Sequence, residues 1–353
     1  MTAHISPWMD DELIMLQDTL RDFYAKEMVP HEERWQQQGH IDRDFWNKAG
    51  EIGILCASVP EEYGGMGGDF RHEAVIATEQ FRAAGFSGFG NSVHSQICAG
   101  YILDYGTEDQ KQRWLPRMAS GEMVCAIAMT EPSTGSDLQN IKTTARLEGN
   151  EYVLNGSKTF ITNGQQADLI IVVAKTDTSL GAKGISLMMV ETADAPGFAR
   201  GRNLEKLGLK SQDTSELFFN NVRVPASALL GGEAMKNKGF ICLMQELPWE
   251  RLQIAISAVS ASQAVIDQTI AYVQDRKVFG QAVASYQNTR YTLAELQTEV
   301  QVARVFVDKC IELLAEDKLD TATASMAKYW TTDLQCKVME ECVQLLGGDG
   351  YMW

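Results

Sequence analysis

The 353-residue sequence is poor in the patterns that mark several common protein classes. Its seven cysteines are an odd number without CxxC spacing, which argues against a disulfide framework and favours reduced thiols in the cytoplasm. Its five histidines include no ligand-spaced pair, so we predict no metal site. Only 31 basic residues stand against 47 acidic ones, and the net charge of −16 argues against nucleic acid as a partner, since a polyanion needs a basic face.

A leader pattern and long apolar runs are also missing. Asp10, Asp11 and Glu12 precede the first apolar stripe, which is unlike a secretory signal or a transit peptide. No run of eighteen apolar residues occurs, so we expect a soluble, cytoplasmic protein with no integral membrane segment. With 353 residues, 45% of them apolar, the chain is long enough to bury several hydrophobic cores.

Changes in residue pattern divide the chain into three predicted domains. Residues 1–124 show helical spacing of apolar residues, 125–234 show short β-rich runs between turn residues, and 235–353 return to helical spacing. The predicted fold class is therefore α+β and multidomain. It has an N-terminal helical domain, a central antiparallel β-sandwich or barrel and a C-terminal helical bundle.

Within the first domain we predict helices from Asp10, over 42–55 and over 71–81. The glycine-dense loop 60–68 lacks the pattern of a phosphate-binding loop, and we interpret it as a structural loop near a site.

In the second domain, Asn155-Gly156 between two apolar runs predicts a β-hairpin with a type I′ turn. Further predicted strands cover 169–173, 185–190 and 216–224.

The third domain contains three long amphipathic segments, which predict a helical bundle. The last segment ends at the glycines of 347–350, and the sequence stops at Trp353 without a candidate for a closing helix. We therefore expect an incomplete bundle and a fragment of a longer chain.

The stretch from Leu247 to Leu252 gives the clearest chemical indication. Pro248 suits the first position of a helix, so Glu250 is predicted in the first turn with an unpaired backbone N–H. Together, the Glu250 carboxylate and this N–H could take a proton from a carbon acid and hold the enolate oxygen. The alternative is a glutamate that only complements the helix dipole.

Segment 127–137, at the start of the β domain, is rich in hydroxyl groups. These groups suit donors aimed at a polar heterocycle or a phosphate. The alternative is a turn that satisfies its own backbone. The hydroxyl-bearing residues are Thr130, Ser133, Thr134 and Ser136.

In this order the stretches resemble the acyl-CoA dehydrogenase family over essentially the whole chain, and most closely its long-chain members. The motifs are MQELPWER at 244–251, RKVFG at 276–280, AKYW at 327–330 and QLLGG at 344–348. The resemblance implies FAD, a homotetramer and dehydrogenation of an acyl-CoA thioester to trans-2-enoyl-CoA in fatty-acid β-oxidation. It also implies hydride transfer to flavin N5 and an electron-transferring flavoprotein as partner.

Carried over position by position, the resemblance assigns site residues. Glu250 takes the place of the catalytic base, with Glu246 and Glu131 as competing assignments. Residues expected near the flavin ring are Ile127, Met129, Thr130, Ser136, Phe160, Ile161 and Thr162. Those expected at the pyrophosphate and adenine are Arg276, Phe279, Gln287, Gln344, Leu345, Gly347 and Gly348. Those expected at the acyl-CoA are Ser136, Pro248, Trp249, Glu250 and Arg251.

Other functions stay open at this point. A short branched-chain acyl-CoA dehydrogenase or an acyl-CoA oxidase would use the same scaffold. A flavin- or CoA-binding module without catalysis is a further alternative, although Glu250 argues against it. A purely structural helical scaffold would leave Thr130, Ser136 and Arg276 unexplained.

Overall fold

The computed structural model describes residues 5–84 and 88–352, which gather in two compact units. Of the described residues, the helical unit comprises 5–30, 70–84 and 248–352, and the sheet unit comprises 31–69 and 88–247. Trp353, where the expectation of a fragment arose, lies outside the described residues. The three domain ranges given above stay a prediction.

The helices and strands have these bounds in chain order. The helices are α1 (Asp11–Glu27), α2 (Glu32–Gln38), α3 (Arg43–Glu51), α4 (Phe70–Ala84), α5 (Ala99–Tyr105), α6 (Glu108–Ala119), α7 (Gly239–Asp275), α8 (Gln287–Ala315) and α9 (Thr321–Leu346). The strands are β1 (Cys125–Ala128), β2 (Thr144–Glu148), β3 (Glu151–Thr162), β4 (Leu169–Lys175), β5 (Ile185–Glu191), β6 (Phe198–Asn203), β7 (Thr214–Pro225), β8 (Lys277–Val278) and β9 (Gln281–Ala282).

Helix α1 shows how local sequence forms the helical elements. The Asp10 side chain caps the helix by accepting a hydrogen bond of 3.0 Å from the Leu13 backbone N–H. Leu13, Leu20 and Tyr24 are then buried at helical spacing, and α1 packs against α4 within the helical unit. The three helices predicted for the first part of the chain are confirmed as α1, α3 and α4.

Seven of the described strands form one curled sheet in the order β1-β4-β2-β3-β7-β6, with β5 also paired to β4. The pairs β2–β3, β3–β7, β4–β5 and β6–β7 are antiparallel, as predicted. The sheet differs from the expectation in that β4 runs parallel to β1 and to the end of β2. This arises because the chain passes through the β2–β3 hairpin before it returns beside β1. The predicted α+β class, helices before and after a central sheet, is confirmed.

Strand β4 is buried on both faces. Its odd-numbered residues pack with helix residues such as Tyr101 and Leu115, and its even-numbered residues pack with Tyr152 and Phe219 from β3 and β7. Successive side chains of a strand point to opposite faces, so β4 lies between two apolar cores. This double burial explains why the strand is apolar from Leu169 to Ala174 instead of alternating with polar residues.

The predicted hairpin at 155–156 is wrong. β3 runs through both residues, and its register against β7 shifts between Leu154 and Gly156. Gly156 has a φ of 153°, and a Cβ there would lie 2.3 Å from the Thr143 Oγ1. Glycine is therefore needed for close approach instead of for a turn. The chain turns at 149–150, between β2 and β3.

The prediction that Pro248 opens a helix is also wrong, because α7 begins at Gly239. Cys242 and Leu243 are buried in the core of the sheet unit, and Phe240 packs against it. This burial offsets the roughly 3 kcal/mol that proline costs inside a helix. Of the described helices, α7 has the length and composition to cross a membrane, and 61% of its most apolar 18-residue window is buried within the protein, as in a core helix.

Candidate active site

Segment 127–136 leaves β1 and forms a tight turn in the sheet unit. Glu131 and Thr134 exchange backbone hydrogen bonds of 2.8 and 3.1 Å, so the turn does satisfy its own backbone. Thr130 is half-buried and Ser136 is exposed. The Thr134 hydroxyl is buried and has no hydrogen-bond partner among the residues that the structure describes. An orphaned donor of this kind suits a polar ligand or an ordered water.

Lys158 holds this turn against β3, a role that the sequence prediction missed. Its ammonium donates hydrogen bonds of 2.9 Å to the Met129 carbonyl and to the Glu131 carboxylate. The Thr159 backbone N–H donates to the Thr130 carbonyl at 3.0 Å. One sequence feature could have revealed the role: a lysine placed among the apolar residues of a predicted strand needs a buried anion.

Glu131 is fully engaged by these contacts. Besides Lys158, it accepts hydrogen bonds of 2.6 and 2.9 Å from the backbone N–H groups of Lys142 and Thr143. Burial alone would raise the pKa of this carboxyl, but the Lys158 charge and the hydrogen bonds outweigh burial and place the pKa below its ordinary value. Burial lowers the pKa of Lys158 to about 8, although Glu131 opposes that shift. Both groups are therefore charged at pH 7.

Phe160 is the extra residue of a β-bulge in β3. The register against β7 shifts between Lys158 and Ile161, and Phe160 lies between them with a φ of 60°. Its side chain is 67% exposed. Of the other two residues predicted beside the flavin, Thr162 is half-buried, whereas Ile161 is buried in the core and could offer a ligand only its backbone. An exposed aromatic ring on a strained backbone marks a candidate contact surface.

In the helical unit, Glu250 lies inside α7 and not in its first turn. Its backbone N–H is therefore part of the helix ladder, and the predicted role of that N–H in holding an enolate oxygen is wrong. The Glu250 side chain is half-buried, as are those of Pro248 and Arg251. Trp249 meets Phe70 edge-on, with ring centroids 5.9 Å apart and planes at 89°.

Glu246, the competing base one helical turn earlier, belongs to the sheet unit and is 8% exposed. It accepts a hydrogen bond from the Tyr105 hydroxyl. Burial first, and then this carboxylate, raise the pKa of Tyr105, so the hydroxyl stays protonated and remains a donor. Glu246 is thus held as a hydrogen-bond acceptor.

A concavity of about 230 Å³ in the helical unit brings several predicted residues together. Arg276 and Val278 line it from one side, and residues 345–349 line it from the other. Among the described residues, the Arg276 guanidinium makes no hydrogen bond or ion pair, so its donors can meet a phosphate. Asp349 also lines the concavity and accepts a hydrogen bond of 2.6 Å from the Tyr272 hydroxyl.

Three predicted residues lie outside this concavity. Phe279 sits at the tip of the β8–β9 hairpin with a φ of 51° and is 99% exposed. Gln287 is exposed at the first position of α8, where it donates to the Tyr291 hydroxyl at 2.7 Å. Gln344 is exposed near the end of α9.

The residues of each unit fit a part of FAD. The sheet unit offers the orphaned Thr134 hydroxyl and the exposed Phe160 ring, which suit a polar, flat heterocycle. The helical unit offers Arg276 beside Gly347 and Gly348, and added Cβ atoms at these glycines would have nothing within 4 Å. The open backbone leaves room beside the Arg276 fork, which matches phosphate oxygens.

Comparison with known proteins agrees with these features. Residues 10–122, 126–222 and 237–353 match the N-terminal, middle and C-terminal domains of acyl-CoA dehydrogenase. The chain is 49% identical over 341 residues to the mitochondrial long-chain specific acyl-CoA dehydrogenase of Sus scrofa, which covers 96% of this chain and 78% of that protein.

Solved structures are equally similar. An acyl-CoA dehydrogenase from Geobacillus kaustophilus has a TM-score of 0.94 and 46% identity, covering 99% of this chain and 91% of that one. A glutaryl-CoA dehydrogenase from Mycobacterium smegmatis, solved in complex with FADH2, has a TM-score of 0.89 and 30% identity, covering 97% and 86%. The chain therefore belongs to the acyl-CoA dehydrogenase family, and it is an FAD-dependent oxidoreductase.

Proposed function

We propose that this protein converts long-chain acyl-CoA thioesters to trans-2-enoyl-CoA in fatty-acid β-oxidation, with Glu250 as the base that removes the α-proton. The long-chain relative supports the substrate class. Support for the base comes from the sequence around Glu250, which resembles that of long-chain members of the family.

The observation that carries the proposal is the position of Glu250 on α7, half-buried and one turn after Glu246. Glu131 is bound by Lys158 and by two backbone N–H groups, and Glu246 by the Tyr105 hydroxyl. Both competing carboxylates therefore already serve as acceptors within the sheet unit. The half-buried position of Glu250 suits a base from which water is excluded when substrate is bound.

The residues of the chain divide the work of the reaction. FAD, when bound, supplies the acceptor for the hydride that leaves the β-carbon. Glu250 accepts the α-proton, and the apolar part of Trp249 beside it excludes water from that proton transfer. Since the Glu250 N–H belongs to the helix, donors for the enolate oxygen must come from other groups.

The test is the Glu250→Gln variant of the FAD-loaded protein. Glutamine keeps the volume and removes the proton acceptor, so anaerobic bleaching of the flavin by an acyl-CoA should slow by about 10² to 10⁴-fold. Substrate Kd should change much less. Glu246→Gln is the matched control, one helical turn away on the same helix, and should bleach near the wild-type rate. Bleaching that survives in Glu250→Gln and is lost in Glu246→Gln would reassign the base.

We further propose a homotetramer that passes electrons to an electron-transferring flavoprotein. Apolar side chains on α8 and α9 support an assembly, because Val302, Val305, Met326 and Tyr329 are each more than half exposed. Sedimentation at the mass of four chains is expected, and a stable monomer would contradict it. Faster turnover with oxygen than with the flavoprotein would favour an oxidase instead.

We propose a cytoplasmic location, supported by the seven free cysteines, six of which are buried. Fractionation of cells that express the tagged protein tests this, and recovery in an organelle would contradict it.

A further inference from the structure

A second cavity, of about 520 Å³, lies within the helical unit. The N-terminal segment and helices α1, α4, α7 and α8 enclose it, and none of the residues assigned above to FAD or acyl-CoA lines it. Its volume is within the range of roughly 300 to 1,000 Å³ that small-molecule sites have. Much of its wall is apolar, formed by Trp8, Ile14, Val75, Val259 and Val300.

Two arginines bring positive charge to this wall. Arg304 donates from Nη2 to the Ser260 hydroxyl at 2.9 Å, its one side-chain hydrogen bond within the described part of the chain. Burial lowers the pKa of Arg304; Asp308 opposes the shift and the nearby Arg82 charge adds to it. The Arg82 Nη2 lies 3.8 Å from the nearest carboxylate oxygen, on Asp267, which is beyond hydrogen-bonding distance. A guanidinium has five N–H donors, so most of those on both arginines are unused.

The nearby carboxylates are already bound by other donors. They therefore balance the charge of the arginines in part but do not occupy their N–H groups. The donors, with distances between 2.7 and 3.0 Å, are Arg21 and Gln17 on Glu79, Trp8 and Ser6 on Asp308, and Gln263 on Asp267.

We propose that this cavity binds an anionic amphiphile, a free carboxylic acid with a hydrocarbon chain. Arg82 and Arg304 hold the carboxylate, whose two oxygens match the planar fork of a guanidinium. An anion between the two arginines also relieves the repulsion between their charges. The hydrocarbon chain lies along Trp8, Val75 and Val259, where it removes apolar surface from water.

The first experiment locates the ligand with Trp8. Decanoate that carries a bromine on its last carbon is titrated into the FAD-loaded protein, and quenching of tryptophan fluorescence is followed. Because the quencher acts at short range, saturable quenching that is largely lost in Trp8→Phe is expected. Quenching of equal size in Trp8→Phe would place the acid elsewhere, including the acyl site, and would overturn the proposal.

The second experiment tests the arginines by calorimetric titration of decanoate. Each charge-assisted hydrogen bond contributes enough that Arg304→Gln and Arg82→Gln should weaken binding about tenfold or more. Arg290→Gln, an exposed arginine on the same helix α8, is the matched control and should bind like the wild type. If Arg304→Gln fails to fold, Arg82→Gln carries the test, because its side chain is 39% exposed.

Two further probes separate the head group from the chain. Decanol, which lacks the charge, should bind at least tenfold more weakly than decanoate, and inorganic phosphate should not bind measurably. Equal binding of decanol and decanoate would show that the arginines do not recognise the head group. Phosphate binding as tight as that of decanoate would show a simple anion site. Either result, or unchanged decanoate affinity in both arginine variants, overturns the proposal.

Discussion

Lys158 and Glu131 form an ion pair inside the sheet unit, with 2.9 Å between Nζ and Oε1 and side chains that are 0% and 3% exposed. Lys158 also donates to the Met129 carbonyl, so the pair ties the turn after β1 to strand β3. A buried pair of this kind adds little stability over an apolar pair of equal volume, but it is costly to break. The pair therefore acts by positioning other residues, because it places Thr130 beside the bulge that carries Phe160.

Lys158→Met should destabilise the protein by about 3 to 5 kcal/mol, because it leaves Glu131 buried without a countercharge. Adding Glu131→Gln should recover part of this loss, since glutamine is neutral and can still accept from the Thr143 N–H. Urea denaturation of the four members of this double-mutant cycle measures the coupling. Strictly additive effects would mean that the two side chains do not act as a pair.

The pair also predicts a change in flavin binding. The double variant should refold and yet retain less FAD than the wild type, because the turn is no longer tied to β3. Unaltered FAD affinity in a well-folded double variant would contradict the positioning role.

His94 predicts a loss of stability in acid. Its Nδ1 accepts from the Cys125 backbone N–H at 3.0 Å, and Nε2 contacts the Met118 carbonyl at 3.1 Å, which fixes one neutral tautomer. Burial lowers the pKa of His94 to about 4, against an ordinary value of 6.5, and the Met118 bond opposes this only in part. Because the unfolded state binds the proton first, this contribution is complete above pH 6.5 and is lost as pH falls towards 4.

The loss should amount to about 3 kcal/mol, which follows from roughly 1.4 kcal/mol for each pKa unit. Urea midpoints of the wild type and of His94→Gln measure it between pH 4 and 8. The variant should be less stable than the wild type between pH 6.5 and 8. Below pH 6.5 the difference between the urea midpoints of the two proteins should narrow. A difference that stays constant down to pH 4 would show that folding does not lower the pKa of His94.

Trp249 predicts the dependence on acyl chain length. Each buried methylene contributes about 0.8 kcal/mol, so kcat/KM should rise with chain length and then level off where the pocket ends. Trp249 lies beside the proposed base and is held edge-on by Phe70, so Trp249→Gln should move the plateau to longer chains. Ile254→Gln, an exposed position on the same helix, should leave the profile unchanged. A wild-type optimum at butyryl-CoA or isovaleryl-CoA would instead indicate a short-chain enzyme.

Local sequence predicted the structure correctly where an element depends only on its own residues. The N-cap at Asp10 and the apolar spacing after it predict α1 without knowledge of the rest of the chain. The predictions at 155–156 and at Pro248 failed for the opposite reason. Thr143, directly before β2, approaches Gly156 across the β2–β3 pair, and the buried Cys242 and Leu243 lie on the turns of α7 that precede its proline. Both effects depend on which segments pack together, which the residue pattern alone does not show.

In the candidate site, too, contacts between separate segments could not be predicted from local sequence. The grouping of Arg276 with Gly347 and Gly348 came from family resemblance, since no local pattern relates the start of β8 to the end of α9. The Lys158 contact with Glu131 could have been anticipated as a buried charge, but its partner could not be chosen before the register of β3 was known.

Phe160 predicts a separation between stability and cofactor binding. Its φ of 60° costs a residue other than glycine about 1 to 2 kcal/mol, and its side chain, 67% exposed, contributes little burial in return. Phe160→Gly removes the strain and adds the entropic cost of glycine in a strand, about 0.5 to 1 kcal/mol. The free energy of unfolding should therefore stay the same or rise by up to about 1.5 kcal/mol. FAD should bind more weakly, because the exposed ring is lost, and the visible flavin spectrum should shift.

Asp317→Gly is the matched control. This residue also has a positive φ of 54° and is exposed at the end of α8, and the variant should gain stability without any change in FAD affinity. Urea denaturation and a flavin titration measure the two effects separately. A Phe160→Gly protein that loses stability and keeps its FAD affinity would show that the ring supports the fold and has no part in binding the cofactor.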